Sequence, residues 1–173
     1  RPIAQPRLKA KFKSVKLAYP PAEVTLVGLK EEKKLEVYAR GKQSEKWVLV
    51  DDLPILGASG VAGPKLREGD RQVPEGIYGI EFLNPNSRFH LSLRVNYPNA
   101  FDRQMARQEK RTNLGGDIMI HGGALSIGCL AMGDPVAEDL FVLVADVGMQ
   151  NTSVILAPYD FRSRPKETPQ GSP

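Results

Sequence analysis

Apolar and polar positions along the chain fall into short runs with partial alternation, not into long helical stripes. Residues 24–29 (VTLVGL), 34–40 (KLEVYAR) and 46–51 (KWVLVD) are rich in Val and Leu and are separated by charged turns. Each predicts a strand. Further strands are expected at 77–83 (IYGIEFL) and 88–95 (RFHLSLRV), joined by the turn Asn84-Pro85-Asn86-Ser87, and at 117–121 and 152–157. One helix stands out at about 135–149. Asp134 is a good N-cap residue, and Pro135 suits the first helical position. Val136, Leu140, Val144 and Val147 form its apolar face, and Gly148 is a plausible stop. A single helical turn is expected around 101–109. The fold class is therefore mainly β with one main α-helix, and Trp47 and His90 read as structural residues on strands.

Composition agrees with this reading. The 16 glycines and 14 prolines imply many turns. A length of 173 residues suits one domain, and an apolar fraction of 41% with 25% charged residues excludes wholesale disorder. No run of about 18 apolar residues exists, so no membrane span is expected. Segment 57–76 (GASGVAGPKLREGDRQVPEG) holds five glycines and two prolines and reads as a long ordered loop, pinned by Lys65, Glu68 and Asp70.

Net charge is +4, but the excess is local. Residues 1–16 carry Arg1, Arg7, Lys9, Lys11, Lys13 and Lys16 and no acid; in the remainder, 20 acids face 18 bases. A nucleic-acid reader carries its charge on the folded body, so that class is not favoured. Residues 1–20 read as a basic arm or linker, 21–158 as the folded domain and 159–173 as a disordered tail. The chain begins at Arg1 without an apolar signal segment, which reads as a processed or truncated product.

The stretch that carries chemistry is 117–134, DIMIHGGALSIGCLAMGD. It sets His121 and Cys129 eight residues apart among Gly122, Gly123 and Gly128. A thiol near pKa 8.5 is only a few per cent thiolate at neutral pH. A neighbouring imidazole raises that fraction and can protonate a leaving group. The glycines allow a tight fold-back and close approach of a substrate backbone. Backbone N–H groups at Gly128 and Cys129 could face the oxygen of a tetrahedral intermediate. No acidic side chain stands beside the pair, so a backbone carbonyl, that of Gly122 or Gly123, would orient His121. A lone cysteine is more often a small buried hydrophobe, and the residues alone leave both readings open. With one cysteine and two histidines, neither a disulfide nor an ordinary structural zinc site is expected, and no cofactor is implied.

The segment His121-Gly122-Gly123…Ser126-Ile127-Gly128-Cys129 resembles the active-site motif of the L,D-transpeptidase (YkuD-type) family. The blocks Gly63-Pro64-Lys65…Glu68-Gly69-Asp70…Pro74-Glu75-Gly76-Ile77-Tyr78 and 84–103 extend the resemblance across about 24–158. It implies a sandwich-like β domain outside the cytoplasm, in the periplasm or cell wall. There a cysteine attacks peptidoglycan stem peptides after meso-diaminopimelate and forms a thioester. The acceptor is an amine of a second stem, the amine of a lipoprotein, or water. Cys129 matches the nucleophile, His121 the base, Gly122 and Gly123 the region of the orienting carbonyl, and Ser126 and Gly128 the residues before the cysteine. Tyr97 or Phe101 matches an aromatic over the pocket, and Arg103 is a candidate for a stem-peptide carboxylate. Two features depart from the usual motif: Ile127 stands where a His is common, and the His121–Cys129 spacing is short. Both look like a Gram-negative subgroup that includes hydrolases detaching lipoprotein from peptidoglycan. The short spacing predicts a more open thioester. A wall-binding module that kept the fold without turnover is the alternative of another class.

Overall fold

A computed structural model describes residues 3–42, 45–87, 90–126 and 128–163, without the side chains of Ser87 and His90. Eight strands form one sheet: β1 (Glu23–Leu29), β2 (Lys34–Arg40), β3 (Val48–Pro54), β4 (Gly76–Ser87), β5 (His90–Val95), β6 (Met119–His121), β7 (Leu130–Ala131) and β8 (Thr152–Ala157). Their order is β3-β2-β1-β8-β4-β5-β6-β7. The long β4 joins the two halves. Its first residues, Gly76–Gly79, pair antiparallel with β8, and its later ones, from Ile80 onward, pair with β5. A register shift between Ile80 and Phe82 marks the change of partner, and such bulges bend a strand. The curled sheet agrees with the mainly β, sandwich-like expectation.

Three helices accompany the sheet: α1 (Ala4–Ser14), α2 (Ala100–Gln108) and α3 (Asp134–Val147). The main helix is where the pattern places it. Its N-cap is Gly133, however, and Asp134 already lies inside, its carboxylate turned to the backbone of Gly123. A capping box between Asn99 and Asp102 starts α2 and makes the expected single turn a full helix.

The basic arm is not an arm. Ala4, Leu8 and Phe12 recur at helical spacing and are buried on α1, which packs against α3. Arg7 donates to Asp139 at 2.7 and 3.0 Å, Gln5 to Asp146 at 3.2 Å, and Tyr19 to the same Asp146 at 2.6 Å. The charge run hides three apolar positions that cover one side of α3. At the other end, Asp160 N–H donates to Glu32 and Arg162 donates to Glu36 at 2.6 Å, so residues 159–163 lie against β2 and its turn. The rest of the expected tail lies outside the described residues.

Two smaller expectations are corrected. Residues 84–87 continue β4 instead of joining it to β5; Asn84 accepts from the Asn86 N–H, a local Asx turn at the register shift within the strand. Trp47 is 39% exposed and lies under the Arg40 guanidinium at 4.5 Å, a cation–π contact at the sheet edge and not core.

Candidate active site

Strands β6 and β7 are parallel, with Ile120 opposite Leu130 and His121 opposite Ala131. Extending the register by one residue sets Cys129 opposite Met119, and the Met119 N–H does donate to Cys129 Sγ at 3.4 Å. Cys129 thus enters β7 beside the strand that ends in His121, with its sulfur turned to the backbone of Met119 and Asp117. Two short strands, one invisible to the sequence pattern because it is only two residues long, carry the two residues on adjacent segments of the sheet. His121 is 1% exposed and Cys129 9%.

His121 Nδ1 lies 2.6 Å from the Gly122 carbonyl oxygen. A carbonyl can only accept, so Nδ1 carries the hydrogen and Nε2 is the acceptor nitrogen of the neutral ring. The orienting carbonyl expected from the sequence is that of Gly122. Gly123 instead ties the loop after His121 to the start of α3. Its N–H donates to Asp134 at 3.0 Å, and its carbonyl accepts from Gly133. Across the other side of β6, Ser92 on β5 stands opposite His121. Its hydroxyl is buried and has no hydrogen-bond partner among the described residues.

The cysteine is held in its protonated form. Its S–H donates to the Asp117 carbonyl at 3.3 Å. Burial pushes the thiol above its ordinary pKa; the Asp117 charge adds to this, while the Met119 N–H, the Ser126 hydroxyl and Lys65 oppose it. The direction is opposite to the activation expected from a neighbouring imidazole, because desolvation outweighs the other influences.

The two N–H groups expected to face an oxyanion are both occupied. Cys129 N–H donates to Ser126 Oγ at 3.1 Å, and the same hydroxyl donates to the Cys129 carbonyl at 2.6 Å. Gly128 N–H donates to Ser59 Oγ at 2.7 Å. Ser59 is not legible in the sequence as a site residue, since it sits 69 residues away in a Gly-rich loop; its only signal is a hydroxyl flanked by Gly57, Ala58 and Gly60. Ile127, which departs from the family motif, lies outside the described residues.

The long loop, residues 55–75, is ordered as expected. Lys65 pairs with Asp70 at 2.7 Å, and Asp70 accepts from the N–H groups of Leu66, Arg67 and Gln72. These bonds hold the Asp70 carboxyl down at about 2, against its burial. Lys30 closes the other end, donating to Gly63, Val73 and Glu75. The 122–128 loop is indeed short, and Leu125 at its tip is 84% exposed. The long loop docks on the other side of β7, where Gly57 pairs with Ala131.

The weaker candidates separate. Tyr97 is core: it is 4% exposed, and its one hydroxyl hydrogen is shared between the carbonyls of Lys65 and Leu114 at 3.2 and 3.0 Å. It cannot lie over a pocket without breaking both bonds. Phe101 is 65% exposed and lines a cavity of about 410 Å³ with Ile77 and Asn99. Arg103 is exposed on α2, and its N–H donates to the Asn99 carbonyl. Neither Cys129 nor His121 lines that cavity.

Residues 23–156 match the YkuD family, described as the L,D-transpeptidase catalytic domain. YafK of Escherichia coli (strain K12), provisionally named an L,D-transpeptidase, is 35% identical over 135 residues, covering 75% of this chain and 52% of YafK. The crystal structure of the helical cell shape determining protein Pgp2 from Campylobacter jejuni is similar at a TM-score of 0.64 and 25% identity, over 83% of this chain and 50% of Pgp2. Bd1075 of Bdellovibrio bacteriovorus shares the fold at a TM-score of 0.55 and 20% identity, over 82% of this chain and 50% of that one. The chain spans about half the length of these relatives. With the match running from β1 to β8 and taking in the whole of the His121–Cys129 segment, the chain belongs to the YkuD family of L,D-transpeptidase catalytic domains.

Proposed function

We propose that the chain is a cysteine acyltransferase acting on peptidoglycan stem peptides outside the cytoplasm. Cys129 Sγ attacks the carbonyl of meso-diaminopimelate, at its bond to D-alanine, while His121 Nε2 takes the thiol proton. Collapse of the tetrahedral intermediate breaks the bond to D-alanine, and His121 returns the proton to the departing amine. The thioester is then taken by an amine of a second stem peptide or of a lipoprotein, and the thiol is restored. The observation that carries this reading is that Cys129 enters β7 beside the strand ending in His121, whose Nδ1 is fixed on the Gly122 carbonyl. Because the resting thiol is raised in pKa, the proton leaves during attack and not before it, which is general-base catalysis.

Water as acceptor is a second reading on the same site. It is favoured by the short 122–128 loop, whose Leu125 stands 84% exposed. The shape-determining role in the name of Pgp2 accords with a wall substrate. The test is a purified disaccharide-tetrapeptide, with and without excess acceptor amine, and products identified by mass. Amine adduct or cross-linked dimer with released D-alanine supports transfer. Tripeptide alone under both conditions makes the enzyme a hydrolase. Untouched substrate under both conditions contradicts the substrate class.

A further inference from the structure

The long loop is tied to the residue that precedes Cys129. Ser59 Oγ accepts the Gly128 N–H at 2.7 Å and donates to the Arg71 carbonyl at 2.7 Å. One hydroxyl therefore joins both limbs of the 55–75 loop to the residue preceding Cys129. The limbs are themselves locked. Gln72 accepts from the Val61 N–H at 2.7 Å, and Glu75 accepts from the Gly63 N–H at 2.7 Å and from Lys30 at 3.0 Å. The Ser59 hydroxyl is thus held by a fixed frame and does not hang from a free loop. Its partner Gly128 has φ +78, a left-handed turn that an L side chain adopts only with strain. That turn sets the direction in which Cys129 leaves, and hence the Met119 N–H and Asp117 carbonyl contacts of its sulfur.

We infer that Ser59 is a positioning residue of the acyl-transfer site, fixing the Gly128 turn so that Cys129 Sγ keeps its place against the Met119 and Asp117 backbone. The inference rests on the proposed chemistry only for its effect on turnover. Its structural content is independent, since it concerns where the thiol sits.

The test compares Ser59→Ala and Ser59→Thr with the wild type. Three quantities are measured: kcat and KM on disaccharide-tetrapeptide, the rate of Cys129 alkylation by iodoacetamide, and the melting temperature. A displacement of about 1 Å at a reacting atom costs about 10²-fold in rate. Ser59→Ala should lose about that factor in kcat with KM little changed, and its buried thiol should alkylate several-fold faster while the protein remains folded. Ser59→Thr, which keeps the hydroxyl, should restore both. Three outcomes overturn the inference: wild-type kcat and alkylation in Ser59→Ala, a rise in its kcat, or a threonine variant that behaves as alanine. A rise would mean that Ser59 competes with the substrate oxygen for the Gly128 N–H. If the wild type itself turns over no stem peptide, the proposed function fails, and the alkylation rates alone still decide the role of Ser59.

Discussion

The imidazole Nδ1 of His121 lies 2.6 Å from the carbonyl oxygen of Gly122, the next residue in the chain. This bond assigns the tautomer, and it directs Nε2 to the acceptor role. An amide side chain at this position keeps a polar group but supplies no base. His121→Gln should therefore lower turnover by about 10²- to 10⁴-fold. His90→Gln, at a residue read as structural, should act mainly through stability, lowering the melting temperature while the folded protein keeps kcat within a few-fold. Stopped assays on tetrapeptide check both, and a reversed order would move the base to His90.

The thiol should titrate late. Burial and the Asp117 charge raise its pKa, so iodoacetamide alkylation of the resting enzyme should rise with an inflection above the ordinary thiol value of about 8.5. The linkage has a definite sign. A group with a raised folded pKa contributes stability that is complete below its unfolded pKa and is lost as pH rises through the folded one. The wild type should thus lose stability relative to Cys129→Ala above about pH 8.5. Asp117→Asn should move the inflection downward, and asparagine tolerates the left-handed φ of +53 found there. An inflection below about 8 in the free enzyme would contradict the buried, protonated thiol.

The N-terminal helix should be part of the folding unit. Phe12 is 1% exposed and contacts Tyr19 edge-on at 5.2 Å between ring centres. Phe12→Ala should destabilise by about 3–5 kcal/mol, as expected for emptying a large core site. Urea unfolding followed by fluorescence and circular dichroism measures it. A loss under about 1 kcal/mol would return residues 4–14 to the status of an arm.

The reasons for what is legible lie in particular residues. β1, β2, β8 and α3 announce themselves because their buried positions repeat with a clear period; in β1, Val24 and Leu26 are wholly buried on alternate positions. α1 does not, because five of its eleven residues are Lys, Arg or Gln and only Ala4, Leu8 and Phe12 are buried. Strand β7 has two residues, too few for any period, yet it sets the register that joins the site. His121, Cys129 and the orienting carbonyl are readable because they share one Gly-rich segment. Ser59 is not, because a contact across 69 residues leaves no local trace. Tyr97 misleads because an aromatic near a loop looks alike whether its hydroxyl faces a ligand or two backbone carbonyls.

Ser92 offers a separate check on the ground around His121. Its buried hydroxyl has no hydrogen-bond partner among the described residues, and an unmet buried polar group costs about 1–3 kcal/mol. Ser92→Ala should therefore leave the melting temperature unchanged or raise it by a few degrees. A clear drop would mean that the hydroxyl is bonded in solution.

Covalent capture on the sulfur tests the central claim most directly. Purified protein is mixed with disaccharide-tetrapeptide, quenched in acid within the first turnover and weighed intact, beside Cys129→Ala and a carbapenem-treated sample. The account predicts a mass increase equal to the substrate less D-alanine, located at Cys129 by peptide mapping. It also predicts a carbapenem adduct on the same residue and neither adduct in the alanine variant. D-alanine release by a correctly folded Cys129→Ala protein would contradict it, whatever acceptor the acyl group finally reaches.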